Sequence, residues 1–173
     1  PSTNAVGQFN FSNETSSGSS PMTLVGSRRD ASGNGNVNKG YITGGGPGNP
    51  GYTNTTKLDY AANTSSNLPS TANLRSAAPS DKYTKGLNNT GNQEIGYTIG
   101  GNPGSSYIDR FTYATETMSS TVSTVIPAGS PSNIRKPSYA AKGTSLADGT
   151  YGYMIGNNYM NDPSNSIVGS WFR

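Results

Sequence analysis

Three segments of the chain alternate apolar and polar residues with the period of a half-buried β-strand. They read QFNFSNET at 8–15, KLDYAANT at 57–64 and RFTYATET at 110–117. Successive side chains of a strand point to opposite faces, so a period of two gathers the apolar residues on one face. The residues expected on that buried face are Phe9 and Phe11, Leu58 and Tyr60, and Phe111 and Tyr113.

A second element recurs along with these segments. GYITGG at 40–45, GYTIGG at 96–101 and GYMIGN at 152–157 space their tyrosines by 56 residues. The residues after each Gly are small or apolar on both faces, which is typical of an inner strand that is covered on both sides. The glycine pair that follows permits a sharp backbone turn. The structural glycines predicted in this way are Gly44, Gly45, Gly100, Gly101 and, in the third copy, Gly156.

Turn signals precede each Gly-Tyr strand and complete the unit. Asn34-Gly35, Thr90-Gly91-Asn92 and Asp148-Gly149 are typical of tight hairpins that need positive φ. Each should join the Gly-Tyr strand to a preceding strand, which carries Tyr83 in one copy, Tyr139 in the next and Ser27 in the first. Two strands before the double glycine and two after it predict a repeated four-stranded unit of about 50 to 56 residues.

A four-stranded unit of about this length, with a double glycine after its second strand, resembles a kelch-type β-propeller blade. The segments NTTKLDYAANT at 54–64 and YIDRFTYATET at 107–117 are similar to the kelch-like repeats of marine phage and cyanophage virion proteins. This resemblance implies an all-β fold of four-stranded antiparallel blades that is part of a larger propeller. The chain departs from the kelch motif at Ser66 and Ser119, where a tryptophan is expected. Another repeated β-architecture, such as a sandwich of duplicated hairpins, stays open as the alternative.

On this interpretation the chain opens and ends within a blade. We expect residues 1–22 to form strands three and four of one blade, 23–70 and 71–126 two whole blades, and 127–173 a further partial blade. Propellers usually close with four to eight blades. Either the chain is a segment of a longer or processed protein, or the half-blade at one end pairs with that of a neighbouring subunit.

Composition supports the all-β interpretation and narrows the chemistry. Leu, Ile, Val and Phe make up about 14% of the residues, and charged residues 12%. Asn, Ser, Thr and Gly, which favour turns over helices, take their place. The sequence has neither His nor Cys, which excludes the usual nucleophile systems and the usual zinc or copper ligands. We therefore expect no catalytic residue, no metal site and no cofactor.

Three weaker signals for chemistry remain. A glycosidase needs two carboxylates, and the candidates are Glu14, Asp59, Glu94, Asp109 and Glu116. Glu14 and Glu116 align with Asn63, however, which favours a turn role at that position. DASGNG at 30–35 is similar to the opening of a calcium loop but has Tyr41 where a bidentate Glu belongs. SLADGTYG at 145–152 is similar to the Asp-box of sialidase-like propellers, although a hairpin turn accounts for it better.

The charge and hydropathy patterns favour neither a nucleic-acid partner nor membrane insertion. The net charge is +3, which is too small for a nucleic-acid footprint. The dibasic pairs, Arg28-Arg29 and Arg135-Lys136, are expected at exposed strand starts. No apolar run approaches the roughly 20 residues that a membrane span needs.

The loops after the glycine pairs form the candidate ligand-binding surface. Tyr52, Tyr107 and Tyr159 each lie there among Pro, Gly and Asn, a combination that suits stacking on sugars. The simpler hypothesis is that each ring packs over its own blade. The resemblance implies a non-enzymatic, extracellular virion protein of a tailed phage, whose partners are other virion subunits, copies of itself or a host surface glycan. A secreted or cell-surface lectin-like propeller is the alternative, and a glycosidase is the weakest hypothesis.

Overall fold

The structure is a computed structural model that describes residues 3–18, 20–29, 31–46, 52–74, 87–100, 108–120, 144–147 and 152–155. Short β-strands make up most of these residues, together with one turn of 3-10 helix at Ser70–Ala72. In chain order the strands are β1 (Thr3–Ala5), β2 (Gln8–Asn10), β3 (Thr15–Ser17), β4 (Thr23–Arg28), β5 (Ser32–Gly35), β6 (Lys39–Thr43), β7 (Thr55–Asp59), β8 (Thr64–Asn67), β9 (Leu87–Gly91), β10 (Ile95–Gly100), β11 (Ile108–Thr112), β12 (Thr117–Ser120), β13 (Thr144–Ala147) and β14 (Gly152–Ile155).

Two four-stranded antiparallel sheets form the centre of the described structure. The first sheet has the order β5-β6-β7-β8 and the second sheet the order β9-β10-β11-β12, so each strand pairs with its neighbours along the chain. The Gly-Tyr strands β6 and β10 are each inner strands of their sheet, which confirms the prediction. Gly40 and Tyr41 occupy opposite faces of β6 and are both buried, because this strand is covered on both sides.

A two-stranded sheet, β13-β14, repeats the geometry of the first two strands of each complete sheet. Ala147 pairs with Gly152 in it. The equivalent pairs are Gly35 with Gly40 in the first sheet and Gly91 with Gly96 in the second sheet. The third Gly-Tyr segment therefore has the register of the other two.

Another two-stranded sheet, β2-β3, repeats the geometry of the last two strands. Phe9 pairs with Ser16 in it. The equivalent pairs are Leu58 with Ser65 in the first sheet and Phe111 with Met118 in the second sheet. The three alternating segments therefore form three hairpins of the same register.

The blade boundaries given above stay a prediction. The first sheet lies within residues 23–70 and the second sheet within 71–126. β1 and β4, however, pair with each other across residue 22.

The strand that precedes the first Gly-Tyr strand is not the predicted one. Ser27 was expected on it, but Ser27 belongs to β4, which pairs with β1 in a separate sheet. The neighbour of β6 is β5, whose sequence is SGNG. Four small or turn-forming residues carry no strand periodicity, so tertiary pairing alone makes them a strand. Tyr83 and Tyr139, which mark the equivalent strands, lie outside the described residues.

The two described hairpin turns lie about two residues later than predicted, and the third predicted turn, Asp148-Gly149, lies outside the described residues. Asn34 and Gly35 are the last residues of β5, and the turn is built around Asn36 in this hairpin and Asn92 in the next. The side-chain Oδ1 of each accepts hydrogen bonds of 2.8 to 3.0 Å from the backbone N–H groups two and three residues later. Such Asx turns replace backbone hydrogen bonds by a side-chain acceptor.

The alternating segments end as strands earlier than their pattern indicates. Tyr60 and Tyr113 are the first residues of four-residue turns instead of strand residues. The last residue of each turn has a positive φ, 54° at Glu14, 53° at Asn63 and 52° at Glu116. The alignment of these three residues thus marks a left-handed turn position, which is the turn role that the repeat predicts.

The buried face of the alternating segments forms completely in only one copy of the three, because Tyr60, which was predicted to be buried beside Leu58, lies in a turn and is 48% exposed. Leu58, Phe111 and Tyr113 are buried at 8%, 2% and 5% exposure. In the first copy the prediction is wrong for this structure, because Phe9 and Phe11 are 51% and 88% exposed. The two rings lie edge to face, with their centroids 5.3 Å apart.

The main core lies between the first and second sheets. Its buried residues are Tyr41, Leu68, Ala72, Phe111 and Tyr113, with Met118 packed against them. The first strands of successive units lie side by side, because β9 contacts β5 on one side and β13 on the other. This arrangement stacks the sheets face to face with their first strands toward a shared axis. Among the residues described above, no helix is long and apolar enough to cross a membrane.

Candidate functional site

The contact between the first and second sheets, which we call the junction, is built around three aromatic rings. Tyr41 of β6 stacks on Tyr113 with the ring centroids 5.3 Å apart and the planes within 5°. Phe111 lies 4.7 Å from the Tyr41 ring at an angle of 60°. Aromatic pairs at such distances are worth about 0.5 to 1.5 kcal/mol beyond their buried area. A single Gly-Tyr tyrosine therefore holds the third strand of the next sheet.

A carboxylate closes the junction at one end. Glu116 accepts hydrogen bonds from the Nζ atoms of Lys39 and Lys57, with the shortest contact to each at 3.1 Å. The Tyr41 hydroxyl also donates to it at 3.3 Å. Both lysines and the tyrosine belong to the first sheet and Glu116 to the turn of the second sheet, so this cluster links the two sheets.

The pKa values in this cluster follow from burial and charge. Burial alone would raise the pKa of Glu116, but the hydrogen bonds and positive charges of Lys57 and Lys39 outweigh it and lower the pKa below its usual value. Burial raises the pKa of the Tyr41 hydroxyl, and the negative charge of Glu116 raises it further. The cluster therefore favours an ionised carboxylate and a neutral tyrosine.

The polar rim of the junction consists of side-chain amides. Asn34 donates from Nδ2 to Thr98 Oγ1 at 3.3 Å. Gln93 accepts at Oε1 from the Val37 backbone N–H at 3.0 Å, and Asn89 donates from Nδ2 to the Gly33 carbonyl. The abundance of Asn thus has a structural use, because these amides bridge one sheet to the next.

The glycine of the Gly-Tyr pair makes room for the junction. A Cβ on Gly96 would lie 2.8 Å from the Tyr113 hydroxyl and 2.8 Å from Cγ of Asn34. A Cβ on Gly40 would lie 2.5 Å from the Tyr60 hydroxyl. Real Cβ atoms do not approach so closely, so a side chain at either position would displace the turn tyrosine, and at Gly96 also Asn34, from the Gly-Tyr strand.

The Glu116 cluster predicts a pH-dependent contribution to stability. Since the folded pKa is lowered, the contribution is present above the unfolded value near 4.5 and is lost as the pH falls through the folded value. Glu116→Gln should therefore lower the free energy of unfolding by about 1 kcal/mol at pH 7. The difference from wild type should shrink toward pH 3, as urea denaturation at several pH values would measure.

The matched control is Glu94→Gln, because Glu94 is an exposed carboxylate at the edge of the same junction. It should change the free energy of unfolding by no more than about 0.5 kcal/mol. A Glu116→Gln effect that stays constant from pH 7 to pH 3 would contradict the ion pairs.

The double-glycine loop of the first sheet adopts the conformation that only glycine accepts easily. Gly44 and Gly45 have φ of 70° and 75°. A Cβ on Gly45 would lie 2.6 Å from the Arg29 carbonyl oxygen and 2.9 Å from Ala31 Cβ. Gly100 ends β10, whereas Gly101 and Gly156 lie outside the described residues.

Arg28 anchors this loop from beneath. It was expected at an exposed strand start, but it is the last residue of β4 and only 5% exposed. Its guanidinium donates to the Gly44 carbonyl at 2.7 Å, the Asn54 carbonyl at 3.1 Å and Thr56 Oγ1 at 3.2 Å. Burial lowers the pKa of Arg28, an effect that Tyr52 partly opposes. The prediction fails because these carbonyl groups compensate for burying the charge. Arg29 is exposed, as predicted.

Tyr52 combines packing with partial exposure. Its ring centroid lies 5.2 Å from Arg28 Cζ, which is a cation–π distance. A Cβ on Gly26 would lie 3.1 Å from the Tyr52 hydroxyl, so the ring also covers β4. The residue is still 37% exposed. A ligand role for Tyr52 stays a prediction, and Tyr107 and Tyr159 lie outside the described residues.

Some of the residues that the sequence suggested for catalysis or metal binding make structural contacts instead. Asp59 Oδ1 accepts the Ala62 N–H at 3.0 Å and closes the turn after β7. Residues 32–35 of the calcium-like segment form a regular strand, so they do not wrap around an ion. In the ranges that the structure covers, no group of three or more Asp or Glu residues is placed to hold a metal. Asp148 of the Asp-box-like segment lies outside those ranges.

Sequence comparisons identify no relative of this chain. No family model matches it, and no curated protein matches it in sequence. In three dimensions the chain is similar to the solved structure of YjhT, a kelch-repeat β-propeller protein, with a TM-score of 0.50 and 12% identity. The match covers 77% of this chain and 45% of that chain, so this chain spans less than half of the length of YjhT. The likeness shows the fold, which is all-β with kelch-like propeller blades of four antiparallel strands.

Proposed function

We propose that this chain is a non-enzymatic structural protein of a tailed-phage virion. It would be a surface, tail or fibre component that contacts a host, another virion subunit or a copy of itself. The resemblance of residues 54–64 and 107–117 to kelch-like repeats of marine phage virion proteins supports this proposal. The extracellular location follows from the same resemblance.

The main support for a non-enzymatic role is that several of the few charged side chains make structural contacts within and between the sheets. The carboxylate of Glu116 joins two sheets through Lys39 and Lys57. Asp59 closes a turn and Arg28 fixes a loop. With these groups committed to blade architecture, a scaffold or binding role is favoured over catalysis.

Immunogold electron microscopy tests the virion role. Antibody raised against the purified chain should label intact particles of the phage whose genome encodes it, and it should detect the protein in immunoblots of gradient-purified virions. Antibody that has been preabsorbed with the chain is the control. Detection in the lysate but not in purified particles would contradict the proposal.

A glycan-binding role is the second candidate, and the geometry of Tyr52 favours it. The ring is held by Arg28 below and Gly26 beside it, while 37% of the residue stays exposed. A rigid aromatic ring that is open on one side is suited to stacking on a sugar with little loss of conformational entropy. The same surface would serve a secreted lectin-like propeller or the host contact of a virion.

A glycan array should then show binding by wild type that Tyr52→Ala weakens by about fivefold, since an aromatic contact is worth about 1 kcal/mol. Tyr60→Ala is the matched control, because Tyr60 is also a partly exposed tyrosine, at 48%, but lies in a turn away from the loop. Equal loss in both variants, or binding that neither variant changes, would contradict a site at Tyr52.

A further inference from the structure

A chain of side-chain hydrogen bonds leads from the buried Arg28 to the surface near Tyr52. Nη2 of Arg28 donates to Asn54 Oδ1 at 3.0 Å, and Asn54 Nδ2 donates to Asn67 Oδ1 at 2.8 Å. Arg28 is 5% exposed, whereas Asn67 lies on the surface. The same guanidinium lies 5.2 Å from the centroid of the Tyr52 ring. Arg28 therefore fixes the ring and the two amides relative to one another.

The direction of each hydrogen bond in this chain follows from Arg28. A guanidinium can only donate, so the Asn54 atom that faces it must be the oxygen. Asn54 then turns its Nδ2 toward Asn67, which must offer its own oxygen in return. The Nδ2 group of Asn67 lies on the far side of its amide, and no acceptor among the described residues bonds to it. The surface near Tyr52 therefore presents an amide donor.

The ring and this donor lie at the same end of the first sheet, next to the double-glycine loop. Asn54 immediately precedes β7, and Asn67 is the last residue of β8. The Gly44 N–H donates to the Asn54 carbonyl at 3.4 Å, and the Tyr52 N–H donates to the Gly45 carbonyl at 2.6 Å. Three successive contacts of 5.2 Å or less join the Tyr52 ring to the Asn67 amide. One oligosaccharide can therefore contact both.

We propose that Asn67 is a specificity residue of a glycan site at Tyr52, where its amide donates to the carbonyl oxygen of an acetamido sugar. A carbonyl oxygen accepts without having to place a hydrogen of its own, unlike a hydroxyl. The buried charge of Arg28 polarises both amides in the same sense, which strengthens the outward N–H as a donor. The sugar ring stacks on the exposed side of Tyr52. This inference rests on the proposed glycan-binding role and names the class of sugar.

Two matched trisaccharides test the class of sugar. Chitotriose carries an acetamido group on each ring where cellotriose carries a hydroxyl, and the two are otherwise alike. In isothermal titration calorimetry, the wild-type chain should bind chitotriose about fivefold more tightly than cellotriose, which is the effect of about one hydrogen bond. Equal affinities, or a preference for cellotriose, would overturn the inference.

Asn67→Asp reverses the outward group while it keeps the internal hydrogen bond. The carboxylate still accepts from Asn54 Nδ2, but it presents an acceptor to the ligand, so the preference for chitotriose should disappear. The midpoint of urea unfolding should equal that of wild type, because residue 67 is exposed. Asn38→Asp, the same charge change at an exposed residue just before β6, should keep the preference. An Asn67→Asp variant that still prefers chitotriose would contradict the proposed donor.

Asn54→Asp tests the hydrogen-bond chain without changing the surface residue. Both carboxylate oxygens accept, one from Arg28 and the other from Asn67, so Asn67 must turn its Nδ2 inward and its oxygen outward. The preference for chitotriose should again disappear, whereas a merely structural role for Asn67 would leave it intact.

The outcomes separate this inference from the glycan-binding role itself. If the chain bound another sugar through Tyr52 but neither trisaccharide, the assignment of Asn67 would be wrong and the glycan-binding role would stand. If the chain bound no glycan on the array, both would be wrong. Neither result affects the virion labelling test.

Discussion

Gly45→Val should destabilise the protein by about 3 kcal/mol or more, far beyond the cost of Tyr52→Ala. Gly45 has φ of 75°, where a β-branched residue is strained by about 1 to 3 kcal/mol. The added Cβ would also meet the Arg29 carbonyl oxygen at 2.6 Å, and a backbone atom cannot move aside cheaply. Tyr52→Ala removes a partly exposed ring and should cost about 1 kcal/mol.

Chemical denaturation of the two variants beside Gly18→Val measures this order. A Cβ on Gly18 would meet nothing within 4 Å, so that substitution should change the free energy of unfolding by about 0.5 kcal/mol or less. If Tyr52→Ala cost more than Gly45→Val, the double glycine would not be a structural turn.

Tyr113→Ala should cost about 3 kcal/mol, because it removes a ring that is 5% exposed from the centre of the junction. Tyr60→Ala, at the equivalent turn position, should cost about 1 kcal/mol, because Tyr60 is 48% exposed. The pair compares the same substitution in the same local turn, so the difference isolates the packing between the sheets.

Thermal melts or denaturant titrations of both variants provide the comparison. Equal losses of stability would mean that the turn itself, not the contact between sheets, requires the tyrosine. That result would remove the role assigned here to the stacked rings.

Local repetition was enough to predict the unit of the fold. The Gly-Tyr segments predict inner strands, and β6 and β10 are inner strands. Glu14, Asn63 and Glu116 align in sequence, and each has φ near 53°. These features depend on neighbours within a few residues, so their pattern is visible in the sequence.

Features that depend on distant residues were not predictable in this way. Lys39 and Glu116 lie 77 residues apart, and nothing near either one identifies the other as its partner. Arg28 was predicted to be exposed because its hydrogen-bond acceptors, the carbonyl groups of Gly44 and Asn54, lie in a loop much later in the sequence. β5 has no apolar residue that would predict a strand from the sequence. It is a strand because it pairs with β6.

The stacking of duplicated sheets through their tyrosines is tested most directly by a double-mutant cycle of Tyr41→Leu and Tyr113→Leu. The two rings lie in different sheets, 5.3 Å apart and nearly parallel. Their coupling in the free energy of unfolding should be about 1 kcal/mol. Additivity of the two substitutions within about 0.3 kcal/mol would contradict direct contact between the sheets.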